Sequence, residues 1–351
     1  MKQTIFLILL ATLIGVEVKA QTDSIVRAKI LDDGAQDAEK FYNKGIADFS
    51  TKNYASALEN FNEAIKLKST FERAFYNRGT TKIELNDFGG ALLDFNTAIS
   101  LSATAESYFG RAMVYMHDKN TTNALEDFSK AIELKQDYAQ AYYYRGGLKF
   151  ETQDYKGAEA DYSLAIQYKP GYAYAYNDRG SARRMLGNFD GAISDYTQAL
   201  SMGSDMAFAY NNRASAKRKK GDSAGAIVDY TEALKLKPNY AEAYNNRGSA
   251  RFDAADYEGA IVDFTKAIEQ NSGYAYAYNN RAAAKYKLKD YKGSAEDCSK
   301  AIQYNADYGY AYLNRGIARE MMRDEKGACA DWKKAIELGV DAAGNYSGDC
   351  K

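Results

Sequence analysis

Small apolar residues return along this chain at a fixed interval of 34, and larger rings hold one register between them. One alanine series runs Ala57, Ala91, Ala158, Ala192, Ala226, Ala260 and Ala328. A second lies seven residues later at Ala64, Ala98, Ala165, Ala199, Ala233, Ala267 and Ala335. Twelve residues before the first series stand Gly45, Gly79, Gly146, Gly180, Gly248 and Gly316, with Ala214 and Ala282 in the same register. Phe61, Phe95, Phe128, Tyr162, Tyr196, Tyr230, Phe264 and Trp332 follow the first alanine position by four. The eighth copy has Cys298 there and Ser294 in the preceding small register, so weaker local packing is expected. Self-similarity at such a period marks a solenoid, in which each module buries its apolar face only against its neighbours.

Nine copies start near Ala38, Glu72, Ala105, Ala139, Ala173, Ala207, Ala241, Ala275 and Gly309. One residue is missing between the second and third. Because Ala91 with Ala98 and Ala124 with Ala131 keep phase, the deletion falls in the connection Leu101–Thr104, where a packed helix is not disturbed. Within a copy, the alanine-rich face of Ala241–Ala255 predicts one helix, and Asp256 caps a second running through Asn271. Asparagine or aspartate recurs at that turn from Asn53 to Asp324. The only prolines, Pro170 and Pro238, stand two periods apart in the exit turn, where a missing amide hydrogen costs little.

Ahead of the repeats, Lys2, an apolar run from Ile5 to Val16 and small residues up to Ala20 predict a cleaved signal peptide over 1–20, followed by a polar linker over 21–37. The run is shorter than the roughly 20 residues a membrane-crossing helix needs. The repeats are expected to fill 38–342, with a tail over 343–351, in a protein delivered to the periplasm or secreted. A net charge of -1 argues against a whole-chain role on nucleic acid. Export would permit disulfides. Cys329 and Cys350 could then staple the tail over the open end, which spacing alone leaves undecided, while Cys298 reads as a buried thiol.

Tyr244, Gly248, Ala260, Phe264 and Ala267 of the seventh copy stand at the spacings of a known signature, and on these the chain resembles the tetratricopeptide repeat family over about 305 residues. The resemblance implies an all-α solenoid of nine helical hairpins wound into a right-handed superhelix. It also implies an inner groove that holds a protein or extended peptide. The glutamine after the presumed cut resembles bacterial leaders.

The chain departs from the family in ways that carry meaning. Where leucine is usual before the small glycine, it has Arg78, Arg111, Arg145, Arg179, Arg213, Arg247, Arg281 and Arg315, each followed 16 residues later by an aspartate, Asp94 through Asp331. The first copy relaxes both, to Lys44 and Asn60, so the two are expected to pair, within a hairpin or across a seam. Reversing the pair Arg247 and Asp263 should then restore much of the stability that either single change removes.

Before the arginines runs a ladder of Asn43, Asn77, Asn212, Asn246, Asn280 and Asn314. A carboxamide both donates and accepts, so these residues either read the main chain of a ligand or bond to the neighbouring helix and keep the repeats in phase. Arg183, Arg184 and Lys217–Lys220 form a basic island, of which Arg184, Arg218 and Lys219 are candidate contacts for an acidic partner. Tyr174, Tyr276 and Tyr310 are candidate groove residues, whereas most of the other tyrosines have a packing address. Histidine occurs once, at His117, and the cysteine spacing is not that of a zinc site, so no catalytic, metal or cofactor residues are assigned. The expected function is a non-enzymatic binding scaffold for protein or peptide. The alternative is recognition of a glycan or cell-wall polymer by the basic island and the tyrosines.

Overall fold

The computed structural model describes residues 33–203, 205–346, 348 and 350, and every regular element among them is helical. The expected leader and the linker up to residue 32 lie outside the described residues. The chain divides in the exit turn after the fourth hairpin into two compact units, Met1–Pro170 and Gly171–Lys351.

The first unit pairs α1 (Asp33–Ser50) with α2 (Tyr54–Leu67), α3 (Glu72–Glu84) with α4 (Phe88–Leu101), α5 (Ala105–His117) with α6 (Thr121–Leu134), and α7 (Ala139–Glu151) with α8 (Tyr155–Tyr168). The second pairs α9 (Ala173–Met185) with α10 (Phe189–Met202), α11 (Ala207–Lys219) with α12 (Ser223–Leu236), and α13 (Ala241–Asp253) with α14 (Tyr257–Gln270). It continues with α15 (Ala275–Lys287) and α16 (Tyr291–Tyr304), then α17 (Gly309–Met321) and α18 (Glu325–Glu337), and closes with a 3-10 turn, Asp341–Asn345. Inside each unit a helix packs mainly on its neighbours in sequence, and most first helices also touch the next first helix, which makes each an α-solenoid. Helix α1 starts five residues ahead of Ala38, so Asp33–Asp37 is helix where a linker was expected. Gly34 alone does not stop a helix that Ala35 and Ala38 propagate.

The turn inside each hairpin is built by one device. A residue in the left-handed region leads into the cap: Lys52, Asn86, Lys119, Gln153, Ala255, Lys289 and Arg323 at φ between 58° and 66°, with Gly187 and Gly221 in the fifth and sixth repeats. The next residue, such as Asp256, accepts a hydrogen bond from the backbone N–H three positions on, here Gly259 at 2.9 Å. Glycine fills the donor position in most hairpins, and Asn123 of the third makes the same bond to Asn120 at 3.3 Å. A Cβ at Gly90, Gly157, Gly225, Gly259, Gly293 or Gly327 would lie 2.1–2.2 Å from Oδ2 of the capping aspartate, the oxygen beside the one that accepts the bond. Asn53 departs from this pattern and makes no such bond, and Ser56, which stands in place of the glycine, turns its hydroxyl to Asp48 at 2.6 Å.

The small register explains how the two helices of a hairpin nest. A Cβ added at Gly45 would come within 2.7 Å of Phe61, at Gly248 within 2.8 Å of Phe264, and at Gly316 within 2.4 Å of Trp332. Ala112, Ala214 and Ala282 serve the same register and are fully buried. Opposite Ala282 the ring is replaced by Cys298, free and buried, whose thiol is pushed up to about 12 by desolvation. Ser294 is likewise buried, so the eighth hairpin closes over smaller side chains. Cys329 and Cys350 are joined by a disulfide, and Cys350 packs against the cluster of Leu313, Trp332 and Val340.

Candidate partner-binding face

The recurrent arginine is the joint between repeats. In every pair from Arg78–Asp94 to Arg315–Asp331, Nε donates to one carboxylate oxygen at 2.7–2.9 Å and Nη2 to the other at 2.6–2.8 Å. Where the third nitrogen can be followed, it reaches the second helix of the preceding hairpin. Arg247 Nη1 donates to Thr231 at 3.1 Å and Arg281 Nη1 to Thr265 at 3.0 Å, each 16 residues back. Arg111 reaches 15 back, to Asn96, because of the deleted residue. The aromatic ring three positions earlier lies under the guanidinium, 5.6 Å away for Tyr244 and Arg247. The expected pair is therefore a bond within the hairpin, and the contact across the seam is made to a neutral side chain.

A second cation completes the site. Lys82, Lys149, Arg183, Lys217, Arg251, Lys285 and Arg319 each approach the same aspartate at 2.8–2.9 Å. The aspartates are only 1–4 % exposed, and two cations on each of these seven compensate the cost of burying the charge, whereas Asp127 of the third hairpin takes Arg111 and has Tyr115 in the second cation's register. In the first hairpin the polarity is reversed: Asn60 donates to Asp48 at 2.8 Å.

The asparagines of the second unit bond to one another. Nδ2 of Asn212, Asn246, Asn280 and Asn314 donates to Oδ1 of Asn177, Asn211, Asn245 and Asn279 respectively, at 2.9–3.3 Å, each on the preceding first helix. The accepting residues are buried and the donors half-buried. In the first unit Asn77 donates to the Tyr42 hydroxyl at 3.1 Å and to the Arg73 carbonyl at 2.8 Å. Asn43 is exposed beside Glu39, Lys40 and Lys68.

The basic island is largely consumed internally. Arg183 and Lys217 belong to the aspartate sites above, Arg218 Nε donates to Asp253 at 2.6 Å, and Lys220 pairs with Asp190. Arg184 and Lys219 make no ion pair among the described residues. Tyr174, Tyr276 and Tyr310 are 37, 53 and 58 % exposed near the starts of their first helices. Tyr174 stacks on Phe208, with centroids 6.0 Å apart, and Tyr276 leans on Tyr308 at 4.8 Å.

Family profiles described as tetratricopeptide repeats match residues 105–138, 145–207 and 245–310, and one described as a TPR repeat matches 214–254. The chain is a tetratricopeptide repeat protein. A tetratricopeptide repeat protein from Parabacteroides merdae is 21 % identical in a solved structure, with a TM-score of 0.50 over 71 % of this chain and 99 % of its own. The C-terminal part of a repeat-containing protein from Cytophaga hutchinsonii is 16 % identical, with a TM-score of 0.56 over 68 % of this chain and 98 % of its own. Both likenesses concern the fold. No curated protein sequence matches the chain.

In this tetratricopeptide repeat protein, the first helices of the second unit bring Asn212, Asn246, Asn280 and Asn314 into register. They also set Arg218 beside the seventh repeat and leave Tyr174 and Tyr276 open to solvent. Sequence reasoning missed the second cation on seven of the aspartates, although its position four residues after the arginine recurs in those seven copies. It also missed that the asparagine preceding the ladder is the acceptor.

Proposed function

We propose that this tetratricopeptide repeat protein is a non-catalytic scaffold that holds an extended segment of a partner protein along the first-helix face of its repeats, in the cell envelope. The asparagine rows carry the reading. Asn212, Asn246, Asn280 and Asn314 each use one amide hydrogen on the neighbouring repeat and keep a second hydrogen and an oxygen at a half-buried position. The inter-repeat bond fixes the carboxamide. Its remaining capacity suits a peptide backbone, which offers a donor and an acceptor at nearly every residue. Exposed Tyr174, Tyr276 and Tyr310 supply flat apolar area beside that row, and rings already held by neighbours lose little freedom on binding.

Replacing those three tyrosines by alanine tests the scaffold. Peptides selected from a random display library on the wild type should bind the triple variant about tenfold more weakly, or 1.4 kcal/mol, with unchanged helical circular dichroism. Equal binding, or retention of cell-wall glycan fragments in preference to any peptide, would overturn the reading. The apolar run Ile5–Val16 and the Cys329–Cys350 bond support export to an oxidising compartment. A protein recovered from the envelope with Gln21 at its amino terminus is expected, and recovery of the uncut chain in the cytosol would count against export.

A further inference from the structure

We infer that Arg184 and Lys219 form a seat for one acidic side chain of a bound peptide, an inference that rests on the peptide-holding reading above. One seam of the second unit lacks a charge that its neighbour has. Arg218, on α11, donates to Asp253 of the next first helix, 35 residues on. The same step from Arg184, on α9, arrives at Lys219. At one seam the ion pair is complete, and at the adjacent seam a cation stands where the acid belongs.

Neither cation makes an ion pair among the described residues. Arg184 is half-buried, its Nε is sealed from solvent, and that atom has no hydrogen-bond partner among the described residues. The guanidinium lies against the Tyr196 hydroxyl, which in turn contacts Ser181 Oγ at 3.1 Å. Lys219 is exposed. The surrounding acids are already committed: Asp195 to Arg179 and Arg183, Asp229 to Arg213 and Lys217, Asp253 to Arg218, and Asp190 to Lys220. Asp178 takes the Asn177 amide at 2.9 Å and, like Arg184, acts on the Tyr196 hydroxyl, so it is a nearby acid outside those ion pairs. Two like charges from adjacent repeats, one of them partly desolvated, therefore favour a carboxylate from outside the chain.

The position favours a peptide over a free anion. Arg184 follows Asn177 by seven residues of α9, about 10 Å along the helix, and Asn177 receives the Asn212 amide. About three residues of extended chain span that distance. The peptide would place aspartate or glutamate about three residues from the stretch lying over the asparagines.

Fluorescence anisotropy with labelled hexaglutamate and hexaglutamine on the chain from Gln21 onward tests the seat. Hexaglutamate should bind at least about tenfold more tightly than hexaglutamine, and R184Q and K219D should each abolish that preference. Unchanged hexaglutamate binding in both variants overturns the seat, as does tighter binding of an oligogalacturonate, whose carboxylates sit on sugar. A second measurement needs no ligand. K219D should raise the melting temperature by restoring the pair seen at Arg218–Asp253, and D253K should lower it while adding a second hexaglutamate site. A K219D melting point at or below that of the wild type overturns the inference. The two readings fail separately. Library peptides that bind wild type and R184Q alike remove the seat and leave the scaffold, whereas hexaglutamate held through Arg184 with no library peptide retained removes the scaffold and keeps the seat.

Discussion

The buried aspartates, Asp127 excepted, are each held by two cations among the described residues, and that arrangement sets what a single substitution costs. Asp263 is 1 % exposed and takes Arg247 through two bonds and Arg251 through a third. Asp263→Asn leaves both guanidinium groups without their carboxylate, so a loss of about 3 kcal/mol is expected in urea unfolding. Exchanging Arg247 and Asp263 should now recover only part of the loss. The new arginine would face Arg251, and the new aspartate could not donate to Thr231. The pairing was legible in the sequence because arginine and aspartate are both relaxed in the first repeat, at Lys44 and Asn60. The direction of the asparagine bonds was not legible, because donor and acceptor are the same residue type and only the seam geometry distinguishes them.

Burial of neutral acids gives a second expectation at this scale. Desolvation pushes the Cys298 thiol from 9.0 to about 12, and the Tyr144, Tyr230 and Tyr308 hydroxyls from 10.0 to about 12. These groups ionise first in the unfolded chain, so the stability they lend is complete below their ordinary values and is lost as pH rises towards 12. Urea midpoints should fall from pH 9.0 upward, and Cys298→Ala should flatten the fall up to 10.0, before the phenols contribute.

Among the elements, the turn within each hairpin is the most constrained. Gly259→Ala would drive its Cβ into the Asp256 carboxylate, and losing that cap should cost about 1 kcal/mol. Ala255→Gly should act oppositely, gaining about 0.5–1 kcal/mol, because alanine at φ 61° occupies a region that glycine enters without penalty. Thermal melts of the two variants should move in opposite directions. Most helix limits were readable to within a residue or two, since Ala241–Asp253 and Tyr257–Gln270 nearly reproduce the alanine pattern and the Asp256 cap. The start of α1 was not, because polar residues before Ala38 gave no apolar period to follow, although nothing in them prevents a helix.

For the molecule as a whole, contacts run between near neighbours in sequence within each unit, so stability is a sum of hairpins and seams rather than one shared core. The last hairpin has an additional constraint in the disulfide, which spans 21 residues. Closing a loop of that size stabilises by about 3 kcal/mol. Reduction should accelerate hydrogen exchange over residues 309–350 while leaving 207–270 unchanged, and a uniform acceleration would show that the seams transmit the loss.

The reach of Arg213, Arg247, Arg281 and Arg315, 16 residues forward and 16 back, makes the repeat interchangeable in a way that can be tested by shortening the gene. Excising residues 207–240 in frame would present Thr197 to Arg247 in place of Thr231, and Asn177 to Asn246 in place of Asn211. Every joint would close again on a residue of the same type. The cut would also carry Lys219 away and deliver Asp253 to Arg184, so an ancestral or laboratory chain one module shorter would fold intact and lose its taste for acidic peptides.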